Sequence, residues 1–391
     1  MKLKDVTDYV SEKISSDSID LDCYVTTDSL LQNKAGRELA TNLPPQICTL
    51  THFRTGDVLI GNIRPYLKKI WMADIDGGCN ADVLVIRAKE GHSPDFIYAL
   101  LLQDAFYQYA MKGAKGSKMP RGDKDQIMRY EIPTLSSSEE SIGKFIVDIR
   151  DKIAILNQIN RNLEAMARQL YDYWFVQFDF PNENGRPYKS SGGKMVWNEK
   201  LKRNIPEGWE DTTLGIFCEM YQPKTIGTNE LNPDGKYWVY GANGIVGKYD
   251  SYNHEQSEVA MACRGNSCGV INRTLPKSWI TGNAMVIKTQ PEIHNEYIYQ
   301  TIPYLNIQGA ISGSGQPQLT RENLSSILMC KPSTSVLKAF SDLVSPYIEL
   351  VIKNEILIQK LINQRDDILP LLMNGQVSVM PREVNCDLSH G

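Results

Sequence analysis

The stretch nearest to a phosphate-binding loop is Gly241-Ala242-Asn243-Gly244-Ile245-Val246-Gly247-Lys248. Its glycine spacing is off by one, and Tyr249 stands where a magnesium-binding Ser or Thr is needed, so it reads as a glycine-rich hairpin. Ile311-Ser312-Gly313-Ser314-Gly315 has the look of a methyl-donor glycine loop. It lacks the leading aromatic, and the single Pro-Pro, Pro44-Pro45, has no polar residue before it or aromatic after it. Pro94-Asp95 and Pro233-Asp234 could each open a metal-dependent nuclease site, but neither is followed within about thirty-five residues by the acidic-x-Lys pair that would complete the metal and base cluster. They read as a helix start and a turn. Cys263 and Cys268 have no second Cys or His pair nearby to complete the four ligands of structural zinc. Five histidines leave little for imidazole chemistry.

The residues that remain suit binding. Gly113-Ala114-Lys115-Gly116-Ser117-Lys118-Met119-Pro120-Arg121 combines small residues, which let a backbone approach closely, with cations that neutralise phosphates. The second half of the chain has Gly313-Ser314-Gly315-Gln316-Pro317-Gln318-Leu319-Thr320-Arg321, where Gln can read adenine edges and Arg guanine. Ile63-Arg64-Pro65-Tyr66-Leu67-Lys68-Lys69 mixes cations with an aromatic directly after a strand. The candidates for DNA contact are therefore Arg64, Lys68, Lys69, Lys115, Ser117, Lys118, Arg121, Arg264, Asn266, Gln316, Gln318 and Arg321. A net charge of −4 argues against a nucleic-acid binder. Charge is segregated, however: residues 112–129 carry six basic and two acidic side chains.

The elements that must position these loops come in two copies. Asp57-Val58-Leu59-Ile60, Val85-Ile86 and Phe96-Ile97-Tyr98 recur 201 residues later as Glu258-Val259-Ala260-Met261, Val286-Ile287 and Tyr297-Ile298-Tyr299. Gly116 and Pro133 match Gly315 and Pro332 at an offset of 199. Each copy is followed by a long amphipathic helix. One carries the row Ile149, Ile153, Leu156, Asn160, Leu163, Ala167, Leu170, Trp174. The other carries Leu343, Tyr347, Leu350, Asn354, Leu357, Leu361, Gln364, Ile368, each 194 residues later. The alternating 4,3 spacing is that of a coiled-coil seam, and a polar Asn at one seam position fixes register or partner. In a full-length antiparallel overlap each Asn faces a Leu; a shift by one layer brings the two Asn together. The first row is roughly 38 Å long at about 1.5 Å per residue, against about 34–36 Å for one DNA turn.

The predicted fold class is α+β: two mixed α/β globular domains in pseudo-twofold repeat, separated by two long helices forming an antiparallel coiled coil. The boundaries are residues 1–137 and 206–334 for the globules, 138–178 and 335–375 for the helices, 179–205 for a connector and 376–391 for a loose tail. Ser136, Ser137 and Ser138 provide a capping context for the first helix. Composition, with 42% hydrophobic and 23% charged residues, is that of a globular protein. Eight scattered cysteines read as reduced thiols, and the first residues do not read as a signal peptide, so a cytoplasmic setting is expected.

Taken together the chain resembles a type I restriction-modification specificity subunit. The resemblance covers nearly its whole length. It rests on residues 56–71, 76–85 and 116–121 in the first half and on 205–209, 240–247, 276–286 and 313–319 in the second, in the order domain, helix, domain, helix. It implies two target-recognition domains, each reading one half of a split asymmetric DNA site. It implies no catalytic activity and no cofactor in this chain. It further implies docking of two methyltransferase subunits, which use S-adenosylmethionine, and two motor-nuclease subunits, which use ATP and Mg2+. Exposed helix residues Arg150, Asp151, Arg161 and Arg168 are candidate methyltransferase docking positions. The halves differ at Ser117-Lys118-Met119-Pro120 and Gln316-Pro317-Gln318-Leu319, so they should recognise different sequences. Three other readings stay open: an enzyme in its own right, such as a nuclease or a fused methyltransferase, against which the missing motifs argue; a coiled-coil scaffold without a DNA role; and the specificity subunit of a related split-site system.

Overall fold

In the computed structural model residues 1–135, 137–313 and 315–379 are described. Ser136, Ser314 and most of the expected tail lie outside them. Two compact units divide the chain: Met1–Ile155 with the described residues from Ile358 onward, and Leu156–Leu357. Each expected globule thus takes half of both long helices into its own unit. The helices are not a separate module, because their apolar faces complete the cores beneath the sheets.

In the first unit a four-stranded antiparallel sheet runs in the order Thr7–Tyr9, Val83–Ala88, Val58–Gly61, Ile70–Met72. Its central strands are apolar over Val58–Gly61 and Val83–Ile86 because both faces are covered there. Val58, Ile60, Leu84 and Ile86 pack on the helix Pro94–Leu101. Leu59, Val83 and Val85 pack against Val25, Phe53 and Cys79 of a second small sheet. Ser93 caps the helix by accepting from the Phe96 amide, as the Pro94-Asp95 reading requires.

The second unit repeats this plan. Glu219–Tyr221, Ala284–Lys288, Val259–Ala262 and Ile271–Arg273 form a sheet of the same order. Val259, Met261, Met285 and Ile287 face the helix that carries Tyr297 and Ile298. Ala260, Ala284 and Val286 face Tyr240 and Ile280. A parallel pair closes the second face in both units, Tyr24–Val25 with Gly78–Cys79 and Val239–Tyr240 with Trp279–Ile280. The glycine-rich segment is a hairpin, Tyr237–Gly241 pairing with Gly244–Tyr249.

The first long helix spans Glu139–Tyr171 and continues as a π turn over Asp172–Val176; the second spans Thr334–Met373. Ser138 accepts from the Ser141 amide and caps the first. In the first unit Ile142 and Ile146 share a core with Leu369, Leu372 and Met373. In the second, Asn160 meets Asn354 while Tyr171 packs on Phe340, so the helix segments run antiparallel.

The connector pairs Met195–Asn198 with Arg203–Pro206, and buried Phe180 stacks on Trp209 and Tyr188. Its aromatics, not a periodic pattern, anchor it. One expectation is corrected: the seam of the second helix is displaced. Leu343, Leu350 and Leu357 are 48%, 42% and 37% exposed, and Gln364 is exposed, whereas Val344, Ile348, Val351, Asn354, Ile358, Leu361 and Leu369 are buried. Adjacent residues on a helix differ by about 100°, so two apolar rows lie side by side and meet at Asn354 and Leu361. The packed row is the β-branched one.

Candidate nucleic-acid interface

Each unit builds the same short loop on the end of its central sheet. In the first unit the Lys115 and Arg121 backbones exchange two hydrogen bonds of 2.9 Å, closing residues 115–121 into a hairpin. The Arg64 amide donates to the Pro120 carbonyl at 2.7 Å and the Gly122 amide to the Asn62 carbonyl at 3.1 Å, which docks the hairpin on the segment leaving the strand Val58–Gly61. In the second unit Ser312 and Gln318 exchange the same pair. The Gly265 amide donates to Pro317 at 2.9 Å and the Leu319 amide to Cys263 at 3.0 Å. The turn needs a left-handed residue, supplied by Gly116 (φ +97) and Gly313 (φ +86).

These bonds correct the alignment of the two loops. Gly116 corresponds to Gly313, not Gly315, and Arg121 to Gln318, not Arg321. The offset is 197 because the hydrogen-bonded frame, not the glycine-rich composition, fixes equivalence. Arg321 falls just beyond the hairpin, at the start of the short helix Arg321–Ser325 capped by Thr320.

Exposed on the first hairpin are Lys115, Ser117, Lys118 and Arg121; on the second, Gln316 and Gln318, with Arg264 and Asn266 on the adjoining segment. Lys115 pairs with Asp123 at 3.1 Å and Arg121 with Asp82 at 2.9 Å. Both are solvated pairs that contribute little to stability, so an incoming phosphate can displace the carboxylate. Asp123 is held below the usual carboxylate range, first by the Gln126 amide and then by Lys115. Lys118 has no ion pair among the described residues.

Two of the predicted cations serve the fold. Lys69 is 8% exposed and its ammonium donates to the Thr27 carbonyl, so it is withdrawn from any surface ligand. Its place within a run of cations gave no hint of this. Lys68 is held at 2.8 Å by Asp104, which also binds buried Lys34. Tyr66, 49% exposed on the turn between Arg64 and Lys68, was not among the candidates. Its position in the sequence Arg-Pro-Tyr-Leu-Lys was the available signal.

The helix seam carries a polar cluster within the second unit. The Asn354 amide donates to Asn160 Oδ1 at 2.8 Å, and the Asn160 amide donates to Glu355 at 3.2 Å. The shifted layer, not the full overlap, is the one observed. Burial pushes the Glu355 carboxyl up, against the Asn160 bond that lowers it. Nearby Arg273 bridges Glu164 at 2.9 Å and fully buried Glu296 at 2.6 Å, tying the sheet to the first helix. Of the suggested docking positions, Arg150 lies over the Tyr98 ring and bonds Asp151, whereas Arg161 and Arg168 are exposed.

Comparison with known proteins agrees with this architecture. Residues 206–361 match the type I restriction modification DNA specificity domain. The chain is 23% identical over 355 residues to the MjaIX specificity subunit of Methanocaldococcus jannaschii, covering 85% of this chain and 80% of that protein. It is 26% identical over 192 residues to the HindI specificity subunit of Haemophilus influenzae, covering 45% of this chain and 40% of that one. Its fold is that of the type I restriction-modification S subunit from M. genitalium, with a TM-score of 0.59, 16% identity and 95% of each chain covered. With the hairpin built twice on equivalent sheets, the chain is similar along most of its length to type I restriction-modification specificity subunits, and residues 206–361 match their DNA specificity domain.

Proposed function

We propose that each globular portion reads one half of a bipartite, asymmetric DNA site, and that the paired helices set the spacer between the halves. The observation that carries this reading is one hairpin frame built twice with different side chains. Lys118, Met119 and Arg121 in the first frame stand where Gly315, Gln316 and Gln318 stand in the second. A common frame presents a reading edge in each unit, and divergent side chains give each edge its own sequence preference.

The chain supplies recognition and no chemistry. Adenine methylation belongs to two methyltransferase subunits using S-adenosylmethionine, and translocation and cleavage to two motor-nuclease subunits using ATP and Mg2+; the assembly acts in the cytoplasm. The exposed leucines Leu343, Leu350 and Leu357, one per heptad on the second helix, support a docking face for the methyltransferase, with Arg161 and Arg168 on the first.

The test is co-expression with the methyltransferase subunit in a host without adenine methylation, followed by genome-wide mapping of methyladenine. The expected result is one split asymmetric motif with a fixed spacer. A soluble complex that methylates nothing, or a continuous motif, would contradict the reading.

A further inference from the structure

The turn beneath the hairpin uses two left-handed backbone positions in both units. In the second unit they are Gly265 (φ +75) and Gly269 (φ +89). In the first they are Arg64 (φ +52, ψ +65) and Lys68 (φ +52, ψ +47), which flank the turn Pro65–Leu67 and lie 201 residues earlier. Glycine adopts this conformation freely, while a side chain there is strained. Lys68 has a structural reason to be present, its 2.8 Å bond to Asp104.

Arg64 has none. Its amide holds the hairpin through Pro120, a bond that Gly265 makes equally well. Its guanidinium makes no ion pair or hydrogen bond among the described residues, and its Nε is buried without a partner. A buried donor left unpaired is costly. A Cβ placed on Gly265 would meet nothing within 4 Å, so this backbone position does not demand a side chain for packing. Two unfavourable features therefore converge on one side chain whose only unsatisfied property is its donor fork.

We infer that Arg64 is a base-reading residue of the first half-site, its guanidinium taking the N7 and O6 acceptors of a guanine in the major groove. The inference rests on the DNA-reading role proposed above. A phosphate contact needs only a flexible exposed cation, which Lys115 and Lys118 already offer. A base contact needs a fork fixed in direction, and a partly enclosed arginine on a rigid turn provides that. The second unit, with glycine at this position, reads its half-site without such a contact.

The variant Arg64→Gly gives the first unit the backbone residue of the second. In the co-expressed complex, the methyladenine map should lose its guanine preference at one position of one half-site, with discrimination falling about tenfold to hundredfold. The other half, identified as the one altered by Gln318→Ala, should be unchanged. The melting temperature of the subunit should hold or rise. Arg64→Lys keeps the charge without the fork and should lose the preference too. An unchanged motif, a lysine variant that keeps the preference, or a lower melting temperature for the glycine variant would each overturn the assignment. So would uniform weakening on all sequences with a salt dependence reduced by about one ion, the mark of a phosphate contact. If the unaltered complex methylates no split motif, the proposed function fails; if it does and Arg64→Gly leaves the motif intact, only the Arg64 assignment fails.

Discussion

Replacing Asn160 and Asn354 by leucine, singly and together, tests whether the seam is specified by the pair. In the second unit Asn354 donates to Asn160 at 2.8 Å, and the two residues are 7% and 4% exposed. Asn354→Leu leaves the Asn160 oxygen buried with no donor, which costs about 1–3 kcal/mol. Asn160→Leu strands the Asn354 amide and also removes the 3.2 Å bond to Glu355, so it should be the worse of the two. The double variant strands neither amide, and replacing both partners of a buried bond by apolar groups is close to neutral. The double variant should therefore be more stable than the sum of the single losses by roughly 1–3 kcal/mol. Urea unfolding followed by tryptophan emission measures this, since Trp174 and Trp209 are buried in the same unit. Equal m-values across the four proteins establish that the same surface unfolds. A coupling energy below about 0.5 kcal/mol, the usual error of additivity, would refute the argument that the two amides act as one unit.

Two other perturbations follow from particular contacts. Burial raises the Glu355 carboxyl above its ordinary 4.5, so the folded protein holds that proton more tightly than the unfolded chain. The associated stability is complete below pH about 4.5 and is lost as pH rises through the folded value. Glu355→Gln should thus melt higher than the parent at pH 8 and with it near pH 4; a constant gap across this range would remove the carboxyl as the cause. Gly313→Ala places a Cβ 2.6 Å from the Gln316 carbonyl at φ +86, whereas Gly116→Ala meets Met119 at 3.3 Å. The left-handed alanine alone costs about 1–2 kcal/mol, so both should loosen their hairpins, Gly313→Ala more. Hydrogen exchange at the Gln318 amide for Gly313→Ala and at the Arg121 amide for Gly116→Ala, with DNA binding by the complex, would report it; an equal loss of protection at the two amides would contradict the geometry.

The repeat was legible in the sequence because the cores of the two units are built from local patterns. Val58-Leu59-Ile60 and Val83-Leu84-Val85-Ile86 are short apolar runs whose residues must face protein on both sides, and their second copies have the same character. The long helices declare themselves by periodicity, and Asn160 and Asn354 by their equal place in two rows. The candidate hairpins were found by composition, yet their equivalence was misaligned, by two residues at Gly116 and three at Arg121, since glycine content does not say which amide meets which carbonyl.

The elements and their duplication are contained in the residue pattern, because hydrophobic period depends only on which residues must leave water. Packing between distant residues chose the partners. It chose Val344, Ile348 and Val351 over Leu343 and Leu350 for the buried row, brought the two asparagines together, and withdrew Lys69 into the fold. It also showed that Arg64 and Gly265 occupy one backbone position in two copies. Each of these depends on contacts between residues far apart in the chain, where neighbouring apolar rows or neighbouring cations are chemically alike and only three-dimensional packing distinguishes them.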